Sequence, residues 1–183
     1  MPRGYARIAT IGRIDIRPAE LDHVEAVRAL LSDAAEWTAS IGFPNWPARF
    51  PRDLVARAIS ERTLHIVEGD DAIIATVTLQ WRDLMFWGER EDDAGYVHRL
   101  AVRRDRAGEG LGATVIDWAA QQVRASNRAW LRLDASADNL PLCTYYESLG
   151  FEHRDDIEGE LQLPDGTVRS WRSRLYERAC GVT

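Results

Sequence analysis

Three glycines, Gly108, Gly110 and Gly112, stand at alternate positions between a strand-like run, YVHRLAV, and an amphipathic stretch. In that stretch Leu111, Val115, Ala119 and Val123 fall on one helical stripe. Glycines at a helix start leave main-chain N–H groups uncovered. Together with the positive end of the helix dipole, those groups make a seat for a phosphate or pyrophosphate. A phosphorylated cofactor is therefore expected. Proton-handling groups lie close by in sequence. His98 is in the strand that feeds the glycines, and an imidazole moves protons near neutral pH. A lone strand histidine also serves as a hydrogen-bonded structural residue, so both roles stay open. Asp134 lies near the end of the next strand-like run, WLRLDA.

The glycines fit more than one phosphate site. Gly108, Gly110 and Ala113 satisfy G-x-G-x-x-A, and Asp134 follows about 20 residues on, as in a dinucleotide fold. Against that reading, Arg103–Ala107 separate the strand from the first glycine, and fewer than 50 residues remain after Asp134. No Gly-Lys-Ser/Thr follows the glycines, which excludes a P-loop.

These groups need a scaffold, and 183 residues suffice for one domain with a sizeable core. Residues 1–10 read as a leader, 11–178 as one domain and 179–183 as a tail. Ile11–Arg17 alternates like a strand that Pro18 ends. Val24, Val27, Leu30, Leu31 and Ala34 place a helix within Leu21–Thr38. IGFPNWPARFP is a loop, and Arg52–Arg62 a second helix. Leu64–Glu68 and Ala72–Trp81 are strands around Gly69-Asp70-Asp71. Arg82–Gly95 is an acidic loop, Tyr96–Arg103 a strand and Gly110–Ser126 a helix. Trp130–Ala135 is a further strand, and Asn139–Leu149 a helix stopped at Gly150. The remainder is a hairpin around Pro164-Asp165-Gly166. This order implies an α/β mixed sheet with helices on its faces.

Hydrophobic residues at 45%, charged residues at 28% and a net charge of -6 describe a soluble globular chain. The acidic balance argues against a nucleic-acid partner. No apolar run reaches membrane-spanning length, and the cytoplasm is the expected location. The two cysteines, Cys143 and Cys180, form no C-x-x-C pair, so no metal site or disulfide framework is expected.

The strand LAV, the turn RRDRAGEGLGA and the later NLPLCTYYESLGF together resemble the GNAT superfamily of acyl-CoA-dependent N-acyltransferases. The element order is similar to theirs as well. The resemblance implies a mostly antiparallel central sheet with one splayed strand pair and helices on both faces. It implies acetyl-CoA as co-substrate, with its pyrophosphate on Ala107, Gly108, Glu109, Gly110, Leu111, Gly112 and Ala113. The pantetheine arm would pair with Leu100, Ala101 and Val102. Asn139 fits the family's side-chain contact to the cofactor, and it also fits a helix N-cap. The family's loop opens with Gln or Arg where this chain has Ala107, leaving Arg104 or Arg106 to supply charge.

Tyr146 matches the family's general acid for the leaving thiolate. A core aromatic is its other role, and Tyr145 reads as structural. His98, beside the expected thioester, is the candidate base, with Arg99 on the opposite strand face unless a bulge intervenes. Asp134 is a candidate for acceptor binding. Glu89, Glu91, Asp92 and Asp93 would attract a cationic acceptor or simply be solvated. Trp37, Trp46 and Trp81 come from regions that border the acceptor cleft in similar folds, and they would line it. Trp118 and Trp130 read as core, and Cys143 as a small apolar residue. The activity implied is N-acetyl transfer by direct attack of a small-molecule amine or a peptide N-terminus. A non-catalytic acyl-CoA sensor is the alternative. Similar enzymes are often dimers, so a homodimer is compatible with the chain.

Overall fold

Apolar alternation over residues 64–80 and 94–102, set against helical spacing in 24–40 and 111–125, produces sheet and helix where expected. The computed structural model describes residues 14–44, 46–69, 72–162 and 166–181, without the side chains of Leu161 and Arg169. In chain order the elements are β1 (Asp15–Pro18), α1 (Val24–Ser40), α2 (Arg52–Ser60), β2 (Leu64–Gly69), β3 (Ala72–Gln80) and β4 (Ala94–Val102). They continue with α3 (Leu111–Ala125), β5 (Trp130–Ser136), α4 (Leu140–Ser148), β6 (Glu152–Gln162) and β7 (Val168–Ala179). The strands form one sheet in the order β1-β2-β3-β4-β5-β7-β6. Only β4 and β5 run parallel among the described pairs; the others are antiparallel.

Helices cover both faces because each strand between β2 and β5 carries apolar residues on both sides. Val24, Val27, Leu30 and Leu31 of α1 and Val55 and Ile59 of α2 pack on Leu64, Ile66 and Ala101. On the other face, Leu111, Val115, Ile116, Ala119 and Val123 of α3 pack on Val77, Leu79, Val97, Leu131 and Leu133. Gly95 permits the close approach of α3: a Cβ there would lie 2.5 Å from Val123 Cγ2.

The structure corrects some expected boundaries. Pro18 is the last residue of β1 instead of its breaker. On an edge strand its missing N–H costs no ladder bond. The presumed tail begins inside β7, and the Cys180 amide donates to Ala129 O at 2.8 Å. Gly150 is left-handed (φ 83°) after α4, as its place in the sequence implies. The leader, residues 11–13 of the first expected strand, Asp70-Asp71, Pro164-Asp165 and residues 182–183 lie outside the described residues.

Two irregularities of β4 create the site. Its ladder with β5 covers only Ala94–Val97 against Trp130–Leu133, so the parallel pair forks from His98 and Asp134 onward. On its other side, the register against β3 shifts between the pairs Thr78–His98 and Thr76–Ala101. Arg99 and Leu100 therefore share one partner position, and Arg99 takes a φ of 50°. A bulge does intervene, so simple alternation does not fix the side of Arg99.

Candidate active site

Beyond the fork, the chain leaves Val102, makes a short turn over Arg104–Arg106 and enters α3. Gly108 and Gly110 have φ of 84° and 79°, a conformation open to glycine at little cost. The amide of Thr114 already bonds the carbonyl of Gly110 at 3.0 Å, whereas those of Gly108–Ala113 donate to no backbone carbonyl among the described residues. A row of bare donors at a helix start is the predicted anion cradle. Its side chains divide the charge unexpectedly. Arg106 is folded onto Glu109, Nε to Oε2 at 2.8 Å. Arg104 instead lies 3.7 Å over the Trp37 ring and makes no ion pair with the described residues. A cavity of about 310 Å³ opens between Leu30, Asp33 and Ala34 of α1 and Val102–Asp105.

Tyr145 reaches the same place. A Cβ on Gly112 would lie 2.6 Å from its hydroxyl, so this tyrosine borders the cradle instead of being merely structural. Asn139 caps α4: its Oδ1 accepts the Leu142 amide at 3.2 Å, and the side chain is buried. Its amide nitrogen points to no described acceptor.

At the fork, His98 and Asp134 are the first residues past the last ladder pair, with Nδ1 and Oδ1 3.7 Å apart. On the opposite side of the imidazole, Asp83 Oδ2 stands 3.2 Å from Nε2. This oxygen is buried and not aligned for a hydrogen bond with the described groups. Asp83 is held by its turn: Oδ1 accepts the Phe86 amide at 3.1 Å, and its carbonyl accepts the Trp87 amide at 3.0 Å. Burial pushes the Asp134 carboxyl up to about 6; the facing His98 opposes that shift and the Asp83 charge adds to it. Two buried carboxylates thus flank one imidazole.

Tyr146 approaches from the other face, in the layer beneath α3, with its ring among Tyr145, Phe151 and Tyr176. Burial, and then the Asp134 charge, push its phenol upward, so it stays protonated at neutral pH. The phenol thus lies close enough to Asp134 to feel its charge.

The three tryptophans expected in an acceptor cleft have different neighbours. Trp46 packs edge-on against Phe50 at 5.4 Å and joins the α1–α2 core, because a large ring gains most where apolar area is buried. Trp81 lies beneath Arg128 at 4.9 Å, and Trp37 beneath Arg104. Phe86 and Trp171 take the place beside the imidazole, at 6.1 Å from Phe86 to His98 and 5.6 Å between the two rings. Trp118 and Trp130 pack on the core as expected, and Cys143 is buried. In the acidic loop, Asp93 pairs with Arg132 at 3.1 Å and Asp92 with Arg128 at 2.5 Å. Glu89, Glu91 and Asp92 line a cavity of about 220 Å³ together with Trp81, Asp83 and Tyr96. No cluster of potential metal ligands occurs among the described residues, and no described helix is long and apolar enough to cross a membrane.

A forked β4–β5 pair beside a bare-amide cradle defines the class. Residues 27–151 match the pattern of the acetyltransferase (GNAT) family. The chain is 31% identical over 144 residues to an N-acetyltransferase of Bacillus subtilis strain 168, YesJ, covering 74% of this chain and 79% of the relative. It superposes on a GNAT-family acetyltransferase from Listeria monocytogenes with a TM-score of 0.71, at 20% identity, over 91% of this chain and 94% of that one. It also superposes on yncA of Salmonella typhimurium, solved with its cofactor acetyl-CoA, at a TM-score of 0.66 and 15% identity, over 94% and 96% of the two chains. The chain belongs to the acetyltransferase (GNAT) family and is an enzyme of the N-acetyltransferase class. The dinucleotide reading is thereby set aside: Asp134 faces His98 across the fork, and a separate turn stands between β4 and the glycines.

Proposed function

We propose that this enzyme transfers the acetyl group of acetyl-CoA directly to a primary amine, a small-molecule amine or a peptide N-terminus, within a ternary complex. The observation that carries the reading is the fork: β4 loses its partner at His98, just where proton-handling side chains converge, and the exposed edge leads to the bare amides of Gly108–Ala113. Bound there, acetyl-CoA supplies an acyl carbon activated as a thioester. The cradle fits its pyrophosphate, and the unpaired edge of Leu100–Val102 fits the amide-bearing pantetheine arm. Asn139 and Tyr145 flank that path.

An alkylammonium with a pKa near 10 is only about one part in a thousand free amine at pH 7, which makes its deprotonation worth roughly 4 kcal/mol. His98, flanked by Asp83 and Asp134, accepts that proton. The amine lone pair then forms the C–N bond as the C–S bond breaks. Tyr146 gives its proton to sulfur and regains one from the nitrogen, so one proton per turnover leaves through the cluster. A non-catalytic acyl-CoA sensor has no use for this buried proton-handling set.

Calorimetric titration with acetyl-CoA, with NAD as control, tests the reading. Micromolar binding of acetyl-CoA alone is expected, followed by CoA release in a screen of primary amines. Binding of NAD in its place would overturn it. Because Arg104 makes no ion pair with the described residues and Arg106 is tied to Glu109, Arg104→Ala should weaken acetyl-CoA binding about tenfold, the loss of one charge-assisted contact. Arg106→Ala should change the affinity less than about threefold. Equal effects in both variants would remove the distinction.

A further inference from the structure

We propose that Asp83 is a positioning residue for acetyl transfer: from the β3–β4 turn it holds the Nε2 side of His98 while Asp134 holds the Nδ1 side, forming an Asp–His–Asp relay that takes up the proton of an ammonium acceptor. The proposal rests on the N-acetyltransferase reading of the fork and extends it to a residue outside every motif of the chain.

Four observations carry it. Asp83 is 8% exposed, and its Oδ2 is 3.2 Å from His98 Nε2. A buried carboxylate oxygen with no aligned donor is costly, so its place against the imidazole needs a compensating use. The carboxylate is also preorganised, since the amide of Phe86 fixes the other oxygen. Finally, the Phe86 ring stands 6.1 Å from His98, with Trp171 packed against Phe86, which puts apolar surface on one side of the imidazole and strengthens charge interactions there.

The groups around the imidazole come from several elements. They are Asp83 from the turn, Asp134 from β5 with Ser173 of β7 beside it, Arg99 next in β4, and Tyr146 of α4 acting on Asp134. Arg99 makes no ion pair with the described residues, and Arg132 is taken up by Glu177 at 2.6 Å and Asp93. The relay therefore holds two carboxylates for one imidazole, and an ammonium restores the balance of charge. Nε2 carries the hydrogen that faces Asp83, and Nδ1, 3.7 Å from Asp134, takes the proton of R–NH3+ on its lone pair. The N–H electron pair stays on the amine, and the proton passes to solvent after each turnover.

The test needs no acceptor. Ring C–H signals of the four histidines are followed by NMR against pH in the full-length protein, with His98 assigned through a His98→Gln variant. Asp83→Asn keeps an oxygen for the Phe86 amide and removes one negative charge. The His98 titration midpoint should fall by about one pH unit, a tenfold loss of proton affinity, while Asp83→Glu should leave it near the wild-type position. Asp83→Ser serves as the neutral variant if the Asn protein does not fold. A midpoint that stays put in the neutral variant would overturn the proposal, as would a Glu variant that titrates like it. Since the readout is a titration and not turnover, loss of the relay and loss of the N-acetyltransferase reading are separable.

Discussion

Tyr146→Phe should lower kcat at least about tenfold and leave the Kd for acetyl-CoA within about twofold, measured by CoA release and by calorimetry. The variant removes one oxygen from a buried ring. Packing against Phe151 and Tyr176 persists because Phe keeps the ring, so fold and cradle are undisturbed. Its hydroxyl is the group that changes the chemistry. Burial and the Asp134 charge hold the phenol above its ordinary range, so it carries its proton at every working pH and can donate a hydrogen bond to the forming thiolate as the C–S bond breaks. Without it, the sulfur must leave unprotonated or take a proton from water. The loss should fall on kcat and not on KM for acetyl-CoA, because the contact strengthens only as charge develops. A wild-type kcat in this variant would remove Tyr146 from the reaction.

The parts of the site that follow from local backbone rules were legible in the residues. Gly108 and Gly110 sit where a left-handed turn opens a helix, and that need is written in the glycines themselves. The same holds for Asn139, whose cap is a local contact. What depended on tertiary packing was not legible. Asp83 reads as one more acid after a strand. Only the fold of the β3–β4 turn brings it to His98, and the faint signal was an Asp three residues before the Phe86 amide it accepts. The tryptophans were ambiguous for the opposite reason. A ring of that size serves a core, a cation or a cleft equally well: Trp46 packs on Phe50, Trp37 lies under Arg104, and Trp81 lies under Arg128 while also lining the cavity beside Asp83. The bulge at Arg99 was invisible as well, since nothing in HRLAV distinguishes a regular strand from one that gives two residues to one partner position.

Asp134→Asn should separate stability from activity. A carboxyl whose folded pKa is near 6, against 3.8 for the free group, binds its proton more tightly folded than unfolded. Stability from this group is therefore complete below about pH 4, declines as pH rises towards 6, and is gone above it. At pH 7.5 the buried charge costs about 3 kcal/mol, which Asn does not incur. The variant should melt about 8 °C higher than wild type at pH 7.5 and show almost no difference at pH 4. Activity should move the other way. Loss of the carboxylate leaves His98 with Asp83 alone, and kcat/KM for the amine should fall at least about tenfold at pH 7.5. A variant that is both less stable and less active at pH 7.5 would mean that Asp134 is a satisfied structural acid. A more stable and less active one places it among groups kept charged and buried at a cost to the fold because the reaction needs a proton acceptor at the fork.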